Sequence, residues 1–275
     1  MADDPFRPWL DRWRLTPDGE AFATRFGSRL MPVIADGAPA MLKIAGGEEE
    51  RNGAALMAWY AGEGAARVLA HDDWVLLLER AIGERSLGTM AQGGQDDEAT
   101  TILCQVAAGL HAPRSQPPPA SLVPLPTWFR QLEPAAAAHG GAFVKAAVAA
   151  RELLGSSRDV VVLHGDYHHG NVLDAGERGW LAIDPKGLIG ERGFEYANLF
   201  RNPDAESALS PARMRRRAAI VAELAGLDRT RLLKWVLAYA GLGAAWSYDS
   251  GHVEDARVGL AIAEIAAAEL EISSG

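Results

Sequence analysis

The run Val160-Val161-Val162-Leu163-His164-Gly165-Asp166 carries a histidine, a glycine and a carboxylate out of an apolar strand into a loop, and Asn171 opens the next strand. After a turn at 175–179, a second apolar run, Trp180-Leu181-Ala182-Ile183, ends on Asp184. Such a set suits phosphoryl transfer, which asks a protein for positioned groups rather than covalent work. One carboxylate must orient an attacking hydroxyl and take its proton, the role open to Asp166. Oxygen ligands must hold Mg²⁺, which accepts one or two carboxylates together with phosphate oxygens. Asn171 and Asp184 supply them. A lysine must meet the phosphates, and Lys43 is available in the apolar run Ala40-Met41-Leu42-Lys43-Ile44. A helix carboxylate must hold that lysine. Glu48, Glu49 and Glu50 all qualify, with Glu49 and Glu50 favoured because they lie a helical turn before Gly53. A competing reading groups His164, Asp166, His168 and His169 as a metal-hydrolase cluster, but the order is unusual and no further ligand set follows downstream.

These groups need elements to position them. Over about the first 80 residues the pattern reads as strands at 21–26, 30–35, 40–44, 65–70 and 74–80, with Asp36-Gly37 as a hairpin turn. One helix interrupts them, starting at the three glutamates and carrying Leu56, Met57, Trp59 and Tyr60. After Gly83 the pattern turns helical. Asp96 or Asp97 is expected to cap a helix through Leu110, and Pro117-Pro118-Pro119 breaks the chain beyond it. Helices are expected near 128–132, 143–154, 214–224, 232–246 and 258–270, around the polar hairpin at 160–183.

The formal net charge is −9, from 27 basic and 36 acidic side chains. With no long Lys/Arg cluster, nucleic acid is not expected as a partner. A cationic small molecule is compatible with such a surface. Apolar residues make up 48%, yet no uninterrupted apolar stretch reaches the ~18 residues of a membrane span. The acidic N-terminus lacks the order of a signal peptide, and the one cysteine, Cys104, sits among Ile102, Leu103 and Val106 as a structural thiol. A cytoplasmic monomer that binds no membrane is the expectation.

His-Gly-Asp-x-x-x-x-Asn followed by Ile-Asp resembles the signature of aminoglycoside phosphotransferases and their kinase-like relatives. The stretch from Asp184-Pro185-Lys186-Gly187 to Phe194-Glu195-Tyr196-Ala197-Asn198 is similar to the branch of streptomycin 6-phosphotransferases and hydroxyurea phosphotransferases. Trp13-Arg14-Leu15-Thr16-Pro17-Asp18-Gly19, the run 39–44 and the run 64–70 resemble that branch too, so the likeness covers nearly the whole chain. It implies an α+β, bilobal protein-kinase-like fold: a small N-terminal antiparallel β lobe (1–80), a larger, mainly helical C-terminal lobe (81–275), and a hinge near 79–83. It implies ATP between the lobes, with Lys43 on its phosphates and backbone groups near Glu79 and Ala81 reading adenine. The implied acceptor is streptomycin, phosphorylated at the 6-position. Hydroxyurea, another hydroxyl-bearing metabolite, and a non-catalytic nucleotide-binding regulator stand as alternatives.

The chain departs from protein kinases in lacking Gly-x-Gly-x-x-Gly before Lys43. The phosphate-covering turn is only Phe26-Gly27-Ser28-Arg29, which makes Ser28 a nucleotide-site residue, and Asp184 is followed by Pro-Lys rather than Phe-Gly. On the acceptor side, His168 and Glu191 are expected near the substrate. Asp249, Glu254 and Asp255 are carboxylates that could face guanidinium groups. Arg192 and Glu195 read as an ion pair at a helix start.

Overall fold

Strands Arg29–Ala35 and Ala38–Ile44 form a hairpin whose turn residues, Asp36 and Gly37, both take positive φ (48° and 80°). That turn has the twist that two paired strands require. In this computed structural model, which describes residues 4–24 and 27–274, strand Val75–Glu79 pairs with Ala38–Ile44 on one side and Val68–Asp72 on the other. Thr16–Pro17 and Phe22–Ala23 add to Arg29–Ala35. Every one of these pairings is antiparallel.

Period-two alternation sorts the side chains onto two faces. Val33, Ala40, Leu42, Val75 and Leu77 join Phe6, Leu10 and Leu15 in one buried cluster. A short helix, Arg7–Arg12, closes that face, an element with too few residues to leave a periodic trace. Leu76 and Leu78 point the other way, toward Leu56, Met57 and Tyr60 of helix Glu48–Tyr60. Each such buried side chain contributes about 1.5–3 kcal/mol relative to an exposed one. Lys43, opposite Leu76 in register, lies on this second face.

The second cluster continues into the helical part of the chain. There helix Arg229–Asp249 packs on Val253–Ser274 and Ala142–Gly155, and Asp96–Leu110 packs on Pro211–Ala225. Between them lies the polar hairpin. Strands Val172–Asp174 and Trp180–Ala182 pair antiparallel. Strand Val160–Leu163 pairs with Leu188–Glu191, which the sequence pattern did not mark as a strand.

Three expectations need correction. Strand 65–70 begins at Val68; Ala65 instead stands opposite Ala182 of the hairpin, with Ala66 donating to the Ala182 carbonyl at 3.0 Å and Ala182 to the Gly64 carbonyl at 2.9 Å. Neither Asp96 nor Asp97 is the helix cap, since Gln95 holds that position. Asp96 is drawn off by the buried Arg217 guanidinium, whose Nε lies 3.0 and 3.1 Å from its two oxygens. Of the expected strand 21–26 only Phe22–Ala23 is a strand; Ala21 and Thr24 are not part of it, and Arg25 and Phe26 lie outside the described residues. Among the described residues no helix is long and apolar enough to cross a membrane.

Candidate active site

Strand Ala38–Ile44 carries Lys43 into the space between sheet and hairpin, where it is 8% exposed. Its Nζ lies 2.9 Å from Glu50 Oε2 and also pairs with Asp184 Oδ1. Burial works against the lysine's charge, but Asp184 and then Glu50 outweigh it and hold its pKa above the ordinary value. The same pairing, again against burial, holds the Asp184 carboxyl below the usual carboxylate range. Among the three glutamates, then, Glu50 pairs with Lys43. Glu48 is exposed, and the Glu49 side chain lies outside the described residues. Asp184 adopts φ 59°, the left-handed region that a non-glycine residue occupies at a cost of about 1–3 kcal/mol.

Ser28 is buried. Its hydroxyl hydrogen-bonds Glu50 and accepts from Gly46 N–H at 2.9 Å. Ser28 therefore braces the glutamate that holds Lys43. Phe26, in the same turn, lies outside the described residues.

The loop between Val160–Leu163 and Val172–Asp174 holds Asp166. Asn171 Nδ2 donates to the Asp166 carbonyl at 2.8 Å and to its Oδ2 at 3.3 Å. Asn198 Nδ2 donates to Asp166 Oδ1 at 2.9 Å. His168 Nε2 is 3.7 Å from the same oxygen, with its pKa lowered by burial against the opposing pull of Asp166.

His164 is a brace. Its Nε2 faces the Ile183 carbonyl at 2.8 Å, and its Nδ1 accepts from Asp166 N–H at 3.2 Å. Glu195 sits beneath the loop, accepting from the N–H groups of His164 (2.7 Å) and Gly165 (2.9 Å) and facing His111 Nε2 at 3.1 Å. Burial pushes its carboxyl up, and these donors more than reverse that. Glu195 is thus no partner of Arg192, which instead reaches Asp159 at 2.6 Å and the Ala225 carbonyl.

The metal-hydrolase grouping of His164, Asp166, His168 and His169 does not form. Among the described residues no three His, Cys, Asp or Glu side chains are arranged to hold a metal ion. Asp184 and Asn171 fit magnesium differently. One carboxylate and one amide oxygen leave the remaining positions to phosphate oxygens and water, the pattern of a metal that arrives with its nucleotide.

Of the expected acceptor residues, Glu191 is misplaced. It is buried against Arg231 Nε at 2.5 Å, Trp235 Nε1 at 3.1 Å and Arg158 N–H at 3.2 Å, so it ties a helix down. Asp249 and Glu254 are exposed, and Glu254 pairs with Arg257 at 2.6 Å. Asp255 does line a cleft of about 840 Å³ between the last two helices and the segment from Arg201, together with Trp246, Ser247, His252 and Ile262. The Arg201 guanidinium lies over the Tyr239 ring, 5.3 Å from its centroid, and Arg201 stands three residues along the chain from Asn198, so the cleft adjoins the segment that touches Asp166. At the end of strand Val75–Glu79, the Glu79 side chain is taken by Arg178 and by Arg67 N–H (2.7 Å). The Glu79 and Arg80 N–H groups bond to the Arg67 and Pro39 carbonyls. Among the described residues Ala81 N–H has no backbone partner of this kind. Cys104 is buried, its thiol pushed up to about 12.

Asn198, Glu195 and Arg201 were not singled out for these positions from the sequence. They follow the hairpin in a 3₁₀ segment, Arg192–Arg201, whose periodicity gives no sign of which side chain turns to the loop.

Residues 12–251 match the sequence model of a family described as aminoglycoside/hydroxyurea antibiotic resistance kinase. The chain is 50% identical over 247 residues to a streptomycin 3''-kinase of Klebsiella pneumoniae, covering 88% of this chain and 92% of that protein. It is 35% identical over 286 residues to a streptomycin 6-kinase of Streptomyces griseus, covering 94% and 86%. In fold it is similar to a thermostable mutant of an aminoglycoside phosphotransferase solved with ADP and hygromycin B, with a TM-score of 0.69 at 14% identity over 96% of this chain and 98% of that one.

Proposed function

The chain belongs to the aminoglycoside/hydroxyurea antibiotic resistance kinase family, and from that premise we propose that it transfers the γ-phosphoryl group of ATP to a hydroxyl of streptomycin. The observation that carries the transfer chemistry is the convergence of Lys43, Glu50 and Asp184, together with Asp166 held between Asn171 and Asn198 and tied through His164 to the Ile183 carbonyl beside Asp184. Asp166 takes the proton of the acceptor hydroxyl as its oxygen attacks phosphorus, and the bond from phosphorus to the bridging oxygen of ADP breaks. Lys43, kept charged by its two carboxylates, meets the phosphates. Asn171 and Asp184 would hold magnesium, which supplies charge neutralisation on the phosphate oxygens. The hinge lies at 79–83, with Ala81 facing the adenine, and separates the lobes 1–80 and 81–275. The Asp255-lined cleft beside the Asp166 loop receives the cationic acceptor, whose guanidinium groups suit a carboxylate.

On regiochemistry, the relative at 50% identity favours the 3''-hydroxyl over the 6-hydroxyl that the sequence resemblance implied; the 35% identity to a 6-kinase supports the second reading.

The test is turnover of streptomycin by the purified protein with ATP and Mg²⁺, the product identified by mass and the modified ring by NMR. The expected product is the drug plus one phosphoryl group, lost on chelation by EDTA. Asp166→Ala should reduce kcat by about 10²- to 10⁴-fold while nucleotide still binds. Nucleotide binding without phosphorylated drug would remove streptomycin as acceptor, and near-full activity of Asp166→Ala would remove Asp166 as base.

A further inference from the structure

A carboxylate that must take a proton along one line works only if its plane is held. Asp166 sits in a loop, where its own rotamer would leave that plane free to turn. Asn171 reaches its Oδ2 at 3.3 Å, a long contact from a residue whose other atom is needed for a metal. The shorter bond is to Oδ1, from Asn198 Nδ2 at 2.9 Å.

Asn198 is 7% exposed, and its orientation is set in turn. Asn202 Nδ2 donates to the Asn198 carbonyl at 2.9 Å and to its Oδ1 at 3.3 Å. A donor on Oδ1 fixes which end of the Asn198 amide is which, so Nδ2 must face Asp166. The backbone of Asn202 is pinned as well. Its carbonyl accepts from Arg217 Nη1 at 2.6 Å, and the same nitrogen reaches the Leu199 carbonyl at 2.7 Å. Arg217 is 1% exposed and anchored on Asp96 of a separate helix. A line of directed bonds thus runs from a rigid helix through two amides to one oxygen of Asp166.

We propose that Asn198 is a positioning residue that aims the Asp166 carboxylate, with Asn202 orienting Asn198. This rests on Asp166 being the base proposed above. The variants Asn198→Ala, Asn202→Ala and their double are compared with wild type and Asp166→Asn in the streptomycin assay, each with its melting temperature. Asn198→Ala should lose about ten- to a hundredfold in kcat, while KM for ATP stays within about twofold. Asn202→Ala, which keeps the carbonyl that Arg217 holds, should lose less. The double variant should lose no more than Asn198→Ala, because one residue acts through the other.

A kcat for Asn198→Ala near wild type, or losses that multiply in the double variant, would overturn the proposal. So would a loss matched by a rise in KM for ATP and a fall in melting temperature, which is what a structural role predicts. Should Asn198→Ala fail to fold, Asn202→Ala decides alone, and an unchanged kcat overturns the inference. An active Asp166→Asn places the fault with the base assignment, and the inference falls with it; an inactive wild type removes streptomycin as the acceptor, and the inference falls with the proposed function. An inactive Asp166→Asn beside a fully active Asn198→Ala removes the inference alone.

Discussion

His169 is 3% exposed, and among the described residues neither of its ring nitrogens has a hydrogen-bond partner. Burial, reinforced by the nearby Arg217, lowers its pKa to about 3. The unfolded chain protonates this ring near the ordinary histidine value, so it binds a proton the folded chain refuses. Stability is therefore intact above about pH 6.5 and is lost as pH falls from there toward 3. Between pH 6.5 and 5 this single group removes about 2 kcal/mol. His169→Leu should flatten the fall in melting temperature between pH 7 and 5; a slope equal to wild type would refute the account. Neighbouring residues differ in how far they could be read from sequence. Asp166, Asn171 and Asp184 stand out because polar groups end apolar strands at close spacing. Glu191 misled because its partner Arg231 is 40 residues away along the chain, and no local pattern announces that pairing. Asn198 was hidden for the same reason, 32 residues from the carboxylate it touches.

Helix Glu48–Tyr60 owes its position to the absence of a side chain. A Cβ on Gly53 would stand 2.0 Å from the Pro185 carbonyl oxygen and 3.1 Å from its carbon. The obstacle is backbone, which cannot swing aside as a side chain would. Alanine is the better helix former by about 1 kcal/mol, but the helix could keep that gain only by moving off the segment that follows Asp184. Glu50 would move with it, and Lys43 would lose the pair now at 2.9 Å. Gly53→Ala should lower kcat/KM for ATP by about tenfold or more and lower the melting temperature. An unchanged KM for ATP together with an unchanged melting temperature would show that the helix absorbs the methyl group in place. Helix Glu48–Tyr60 and the strand before it were legible because their periods are long enough to register. Strand Leu188–Glu191 was not, since Gly190 interrupts its alternation, and its extended form is imposed by pairing with Val160–Leu163.

The division of the chain into a sheet and a helical body was visible in the change of pattern after Gly83. The joining of the two was not. Ala182 donates to the Gly64 carbonyl at 2.9 Å and accepts from Ala66, and Arg178 reaches both Glu79 and the Gly62 carbonyl at 2.7 Å. One apolar cluster runs from Leu76 and Leu78 through the helices to Ala267. Sequence patterns report each element's faces but not which face meets which, so the cleft between the last helices was equally invisible. With backbone bonds and core shared, the protein should unfold in one transition, with calorimetric and van't Hoff enthalpies equal. Two resolved transitions, one of them insensitive to ATP, would contradict this.

The single β-bridge between Ala65 and Ala182 also bears on how long such a molecule lasts. If the halves melt only together, a ligand bound to one protects both. Nucleotide at about a hundred times its dissociation constant adds about 2.7 kcal/mol to the whole chain. Under the function proposed above, the helices around Asp255 then gain resistance to proteolysis from a nucleotide bound elsewhere, and ATP would keep the protein intact before any acceptor reaches it.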